Sequence, residues 1–158
     1  MLRALGCALL IAVALGTPAW AEQSLNSLAG SWSGAGSMKP SDGPRERVRC
    51  KIDYLVGNEG QSVKMDMRCA SEAYKMQLSA NIDQKGSVLS GNWFESQYRQ
   101  GGQFSGQHVN GVIDAKIESA TITALLTVHT EGDRQKLSFE SPGAWVSEVS
   151  INLSRQKK

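Results

Sequence analysis

The sequence has 158 residues, of which 41% are hydrophobic and 20% are charged, and its formal net charge at pH 7 is +2. A chain of this length is typical of one domain, and the near-neutral charge excludes the strongly basic composition of most nucleic-acid-binding proteins. Any electrostatic function would therefore depend on a local cluster of charges, and we predict no nucleic-acid partner.

The N-terminus has the pattern of a bacterial secretory signal peptide. Arg3 is followed by an apolar run, Ala4–Leu15, and by the small-residue cleavage motif Ala19-Trp20-Ala21. We predict a Sec-type signal over Met1–Ala21 and a single domain over residues 22–158, in the periplasm or secreted. An uncleaved anchor is disfavoured because the apolar run is too short to cross a bilayer, and no other segment is apolar enough to span one.

Two cysteines remain once the signal is removed, since Cys7 lies inside it. Export and an even number of cysteines predict one disulfide, between Cys50 and Cys69. We predict no metal site, because neither C-x-x-C nor H-E-x-x-H spacing occurs and His108 and His129 lie far from both cysteines. Both histidines are expected at the surface or at one end of the fold. No cofactor is predicted.

The mature chain begins with a short polar leader, Glu22–Ser27, and a glycine-rich strand, Leu28–Met38. Glycine inside a strand often marks a close approach of another group. On one face of this strand Trp32 stands among glycines, so we expect its indole ring to lie flat along its own strand. The composition of Lys39–Pro44 then predicts a turn.

Three strands with clean alternation follow, predicted over Arg45–Val56, Ser62–Cys69 and Ala73–Asp83. One set of side chains is apolar, and the alternate set is polar or charged except for Leu55. Because successive side chains of a strand point to opposite faces, these strands should form a sheet with one dry face and one wet face.

The pairing of the first two of these strands holds a conflict. If Cys50 lies directly opposite Cys69, like charges face each other at the next position, Lys51 against Arg68. A slip of two residues would pair opposite charges, which is worth only about 0.2–1 kcal/mol for each pair. A disulfide that closes a loop of this length contributes roughly 3 kcal/mol. We therefore expect the disulfide to set the register, with a bulge that restores some charge pairing.

The rest of the chain continues as short strands joined by turns. The predicted strands are Ser87–Ser96, Gln103–Val109, Val112–Ile117, Thr121–Thr130, Gln135–Glu140 and Trp145–Arg155, with a loop over Gln97–Gly102. Regular spacing, hairpin-length connections and the absence of a convincing helix predict an all-β, antiparallel up-and-down barrel of about 8–10 strands. A flattened β-sandwich is the alternative.

Two short stretches resemble the calycin barrels, the group of lipocalins and avidins. Leu28-Ala29-Gly30-Ser31-Trp32 matches their early G-x-W strand, and Arg155 ends the last strand. The resemblance implies that Trp32 lies at a closed end of the barrel and that Arg155 packs over it as a plug. The sequence lacks the other lipocalin motifs and a clear C-terminal helix. The whole mature chain is also similar to small, uncharacterised exported proteins of alphaproteobacteria.

Basic residues alternate on the wet face of the first strands of the sheet. We call the following seven the basic stripe: Arg45, Arg47, Arg49, Lys51, Lys64, Arg68 and Lys75. Three aspartates share this face, which leaves a local charge of +4. The stripe could bind an anionic envelope surface. It could equally be a solvated face whose charges discourage pairing at a sheet edge.

No catalytic constellation occurs in the sequence, and we predict that the chain is not an enzyme. Glu46 and Glu95 share the dry phase of their strands. They could form an acid–base pair with raised pKa values, or they could be hydrated, or paired with Arg99 or Arg155, near strand ends.

Two functions remain open from the sequence. The first is an exported binding module for a small apolar or amphipathic ligand. The second is an envelope-interaction protein that binds anionic glycolipid or a protein partner, such as a protease that it inhibits, through the basic stripe. An open interior favours the first function. The second is favoured by an interior filled by Tyr54, Met65, Met67, Tyr74, Met76 and Leu78.

Overall fold

The alternation of apolar and polar side chains extends through ten strands in the computed structural model, which describes residues 23–157. The strands are β1 (Gly30–Pro40), β2 (Glu46–Gly57), β3 (Ser62–Ala70), β4 (Lys75–Lys85), β5 (Val88–Glu95), β6 (Gln100–Val109), β7 (Val112–Glu118), β8 (Thr123–Glu131), β9 (Arg134–Glu140) and β10 (Val146–Arg155). The predicted signal Met1–Ala21 lies outside the described residues.

The strands form a closed barrel in which each pairs with its neighbours in the chain, and β1 also pairs antiparallel with β10. Closure leaves these strands without a free edge, which is how a meander of this length avoids pairing with other chains. The prediction of an up-and-down antiparallel barrel is confirmed, and the sandwich alternative is wrong.

Two local predictions are wrong. The leader forms a short 3₁₀ helix over Leu25–Leu28, capped by the Ser24 side chain, because its two leucines are buried beneath one end of the barrel. The predicted loop Gln97–Gly102 ends early, and its last three residues belong to β6. Gly102 falls within the predicted loop, but a Cβ there would lie 1.7 Å from the Glu118 carbonyl oxygen. Glycine is present because two strand backbones approach closely.

The β2–β3 hairpin has the register expected from the disulfide. Cys50 and Cys69 lie directly opposite each other and are bonded, with their Cα atoms 4.1 Å apart. The expected bulge is absent from this pair of strands, so Lys51 opposes Arg68 and Asp53 opposes Asp66. This register is stable because the disulfide contributes more free energy than the repulsion between the like-charge pairs costs.

Strand direction defines two ends of the barrel. At the first end β1 begins, β10 finishes and the leader helix packs, so we call it the sealed end. At the opposite end lie the connections 41–45, 71–74, 96–99, 119–122 and 141–145, and we call this end the mouth. The apolar face of the sheet lines the interior between them.

A candidate ligand cavity with one sealed end

Trp32 is the centre of the sealed end. Its side chain is 1% exposed, and its indole Nε1 donates a hydrogen bond of 2.7 Å to the Leu28 carbonyl oxygen of the leader helix. The Arg155 guanidinium carbon lies 4.2 Å from the centroid of the indole ring, within the roughly 6 Å range of a cation–π contact. The strand pairing explains the contact, because Trp32 and Arg155 are direct partners in the β1–β10 register.

Arg155 also ties the sealed end together by hydrogen bonds. Its Nη atoms donate to the carbonyl oxygens of Ala29, Ser27 and Gly132. Its Nε donates to Asp133 Oδ1 at 2.9 Å. One guanidinium therefore connects the leader, the β8–β9 turn and the end of β10. The two predicted residues lie together, and their action as a plug stays a prediction that mutation can test.

A layer of buried polar side chains lies beneath the sealed end. Tyr54 Oη donates to Gln135 Oε1 at 3.0 Å, and Gln135 Nε2 donates to Thr130 Oγ1 at 3.0 Å. Burial raises the pKa of Tyr54, and the hydrogen bond to Gln135 opposes this only partly. The phenol is therefore a neutral donor, and each of these buried groups has a partner, as stable interiors require.

The two histidines have different surroundings. His108 is 3% exposed, and its Nδ1 lies 3.1 Å from Gln84 Oε1, while Gln84 Nε2 donates to the Gln23 carbonyl oxygen. Burial lowers the pKa of His108, because it disfavours the charged form of the ring. His129 points out from β8 and is exposed. Among residues 23–157, no group of His, Cys, Asp and Glu side chains could hold a metal ion.

The interior holds a cavity of about 180 Å³. Its walls are side chains from all ten strands, the leader and the mouth, and only Glu95 and Gln100 among them are not hydrophobic. Methionine supplies four of these side chains: Met38, Met65, Met67 and Met76. Methionine is flexible and polarizable, and it is used at surfaces that adapt to different apolar partners. The cavity can therefore take up apolar groups of more than one shape.

Glu95 is the cavity's only ionisable wall residue apart from tyrosine, and backbone amides hold it. Its carboxylate accepts hydrogen bonds from the N–H groups of Gln77 at 2.8 Å, Gln97 at 3.0 Å and Tyr98 at 2.6 Å. These bonds anchor the 96–99 connection at the mouth. The alternative pairing of Glu95 with Arg99 or Arg155 is wrong, and Glu46 lies on β2, separated from β5 by two strands.

Aromatic rings from three connections meet at the mouth. The Trp145 ring lies 4.5 Å from the Tyr98 ring and 5.5 Å from the Tyr74 ring, measured between centroids. Trp145 comes from the β9–β10 connection, on the other side of the barrel from the two tyrosines. This cluster could not be predicted from the sequence, since each ring belongs to a different turn and only barrel closure brings them together.

All seven residues of the basic stripe are exposed, six of them on the outer wall and Arg45 in the connection before β2. Four of them border a shallow groove outside β1–β4: Arg49, Lys51, Arg68 and Lys75. Small side chains, among them Ser33, Ala35 and Ala70, form its floor. Arg45 instead pairs with Glu148, and Lys64 lies beyond the opposed Asp53 and Asp66. Since the barrel is closed, protection of a sheet edge does not explain the stripe.

Solved structures of other proteins share this fold. Rv2717c from M. tuberculosis is 14% identical with a TM-score of 0.68, and the match covers 84% of this chain and 95% of that one. The S-type phycobiliprotein lyase CPES from Guillardia theta is 13% identical with a TM-score of 0.59, covering 86% and 94%. A DUF3598-family protein of unknown function from Nostoc punctiforme is 18% identical with a TM-score of 0.61, covering 90% and 53%.

These similarities define the class of fold, a calycin-like β-barrel, as the early G-x-W strand implied. No protein-family model matches the chain, and no curated protein matches it in sequence. The comparisons therefore do not support the resemblance to exported proteins of alphaproteobacteria. Within residues 23–157 no helix is both long and apolar enough to cross a membrane.

The prediction that the chain is not an enzyme is wrong in the light of the CPES match. A protein with a similar barrel is a lyase, so this fold does not exclude enzymatic activity. Sequence motifs could not show this, because one barrel scaffold can carry unrelated functions in its interior and loops. At this level of identity the similarity shows the fold alone.

Proposed function

We propose that this protein binds a small apolar or amphipathic ligand inside the barrel and admits it through the mouth. The cavity carries the proposal, because it is apolar, enclosed by all ten strands and bordered at the mouth by Tyr98 and Trp145. At the opposite end, Trp32 is buried and in contact with Arg155 and the leader helix, which supports entry through the mouth.

The size of the cavity limits the ligand. Its 180 Å³ exceeds the roughly 150 Å³ of an engineered apolar cavity that binds benzene. It is smaller than the roughly 300–1,000 Å³ of pockets for drug-sized ligands. The ligand class that fits is therefore a single ring system or a short alkyl chain. Larger ligands would require the methionines to move.

Two neighbouring leucines on β8 provide a matched test. Leu126 lines the cavity, whereas Leu125 is 62% exposed on the outer wall. We expect Leu126→Trp to fill the cavity and to weaken binding of an apolar fluorescent dye at least about tenfold, since lost cavity volume removes the buried contact area. Leu125→Trp should leave dye affinity unchanged. The readout is dye emission in a titration with each folded variant.

Two results would contradict the proposal. The first is the absence of dye binding by the unmodified protein. The second is an equal loss of affinity in the Leu125 and Leu126 variants, which would locate the dye on the outer wall.

A second function is favoured by the groove in the basic stripe. Lys51 and Arg68 face each other across the β2–β3 pair with no carboxylate in salt-bridge contact among the described residues. Like charges directly opposite each other are destabilising, and a bound anion would relieve the repulsion. We therefore propose that the groove binds anionic headgroups of an envelope surface, as part of an exported protein. The disulfide supports this location, since disulfides persist in oxidising compartments.

Vesicles of anionic and of zwitterionic phospholipid test this second function. The unmodified protein should bind only anionic vesicles, and added salt should weaken the binding. Lys51→Gln with Arg68→Gln should weaken it more than Lys64→Gln with Lys136→Gln. Lys64 on β3 and Lys136 on β9 are exposed outside the groove, so this control pair removes the same charge. Equal loss in both double variants would leave only a diffuse effect of net charge, and no binding at low salt would end the proposal.

A further inference from the structure

The cavity wall contains one buried donor without an acceptor. Trp93 lies on β5, borders the cavity and is 7% exposed. Its indole Nε1 makes no hydrogen bond to any of the described residues. A buried N–H without a partner costs free energy, and such groups are rare enough in native proteins to require an explanation.

A second tryptophan in the same short pattern makes the contrast clear. Leu28-x-Gly30-x-Trp32 and Leu89-x-Gly91-x-Trp93 share their spacing. The Trp32 N–H reaches the carbonyl oxygen of Leu28, because Leu28 belongs to the leader helix and the chain bends before β1. Leu89 lies within β5, so four residues of extended chain, about 13 Å, separate its carbonyl group from Trp93.

The register of the sheet places the Trp93 ring where a ligand can contact it. Its direct neighbours across the strand pairs are Ala80 on β4 and Gly102 on β6, both among the smallest residues. Ala80 presents only a methyl group to the ring and Gly102 has no side chain, and the remaining wall is apolar and contains adaptable methionines. A ligand in the cavity can therefore supply the acceptor that the protein lacks.

The charges around the cavity restrict that acceptor to a neutral group. Glu95 lies two positions from Trp93 on the same face of β5, about 7 Å along the strand, and its carboxylate is held in place by three backbone amides. No lysine or arginine lines the cavity. A ligand carboxylate would be repelled by Glu95 and would lose its hydration without gaining a cation.

We infer that the cavity binds a neutral amphipathic ligand, a short apolar group carrying a carbonyl or ether oxygen that accepts the indole N–H of Trp93. This inference rests on the proposed ligand-binding function and specifies the ligand's chemistry. The N–H selects the acceptor, the apolar wall selects the alkyl or ring portion, and Glu95 discriminates against acids.

Three probes of equal chain length test the inference: octane, methyl hexyl ketone and octanoate. Each is titrated against a bound apolar dye in the unmodified protein and in Trp93→Phe, which keeps an aromatic ring but removes the N–H. We expect the substitution to weaken ketone binding about threefold to tenfold, the usual effect of one net hydrogen bond. Octane measures the effect of the smaller ring alone, so its affinity should change much less than that of the ketone, and octanoate should bind weakest to both proteins.

The outcomes separate the inference from the function on which it rests. If none of the probes displaces the dye, ligand binding itself is wrong. If the probes bind but ketone affinity is the same in both proteins, the ketone does not accept the Trp93 N–H and the inference is wrong. Tightest binding of octanoate would overturn the discrimination against acids.

A measurement on the unmodified protein covers the case in which Trp93→Phe does not fold. The indole ¹H–¹⁵N NMR signal of Trp93 should move on addition of the ketone, because a new hydrogen bond deshields the proton, and it should move much less with octane. The Trp32 signal is the internal control, since its N–H already has an acceptor. Equal movement of the Trp93 signal with both probes would contradict the inference.

Discussion

Trp32 and Arg155 connect the leader, the first and last strands and the β8–β9 turn at one end of the barrel. The indole is fixed by one backbone carbonyl and covered by one guanidinium, and that guanidinium bonds two segments that are distant from it in the chain, the leader and the β8–β9 turn. The pair was predicted from a short motif and a strand end, because direct register between the first and last strands follows once the barrel closes.

We expect Arg155→Ala to lower the free energy of unfolding by about 2–4 kcal/mol, through loss of the cation–π contact and of hydrogen bonds from a charged donor. Trp32 should also become more accessible to acrylamide, measured by fluorescence in residues 22–158 carrying Trp93→Phe and Trp145→Phe. Lys157→Ala, an exposed cation two residues on, should change neither value. Unchanged quenching in Arg155→Ala would contradict the plug.

His108 should make stability depend on pH. Because burial lowers its pKa in the folded protein, the unfolded chain takes up the proton first as the pH falls below about 6.5. The free energy of unfolding should therefore be highest above that pH and should decrease toward pH 5, by at most about 1.4 kcal/mol per pH unit for one proton. Urea unfolding across this range measures the slope.

Two glutamine variants test whether His108 causes the pH dependence of the free energy of unfolding. His108→Gln should flatten the dependence on pH, whereas His129→Gln, an exposed position on β8, should leave it as in the unmodified protein. An unchanged slope in His108→Gln would show that other groups cause the dependence.

At the scale of elements, the register of the β2–β3 hairpin is set by a disulfide bond rather than by the pairing of charges. The disulfide sets Cys50 against Cys69 and leaves two like-charge pairs beside it. The register could be predicted because the two contributions differ several-fold in magnitude. The glycines of β6 were harder to interpret, since the same residue marks a loop in one setting and a close backbone contact in another.

Replacement of both cysteines by alanine should lower the free energy of unfolding by roughly 2–4 kcal/mol. The loss arises mainly because the unfolded chain is no longer constrained by the closed loop. Chemical unfolding in the absence of reductant compares the two proteins, and thiol titration of the native protein provides the control. Two titratable thiols in protein recovered from an oxidising compartment would contradict the role of this disulfide.

At the scale of the whole molecule, the sequence by itself determined the class of fold. Alternation with a period of two, turn residues at short intervals and one pair of cysteines are local properties. Each is expressed through backbone geometry and nearby pairing. They were therefore sufficient for an antiparallel barrel, for the β2–β3 register and for the basic stripe as a set of outward residues.

Only the tertiary structure decided the size and the lining of the barrel's interior. The cavity is the volume left between side chains of all ten strands, and no local pattern specifies that volume. The aromatic mouth joins Tyr74, Tyr98 and Trp145 from separate turns. The N–H of Trp93 has no partner because no acceptor of the described residues lies in hydrogen-bonding geometry, which depends on the positions of side chains distant in the chain. Such features arise from closure, which brings distant residues together in a way that periodicity does not encode.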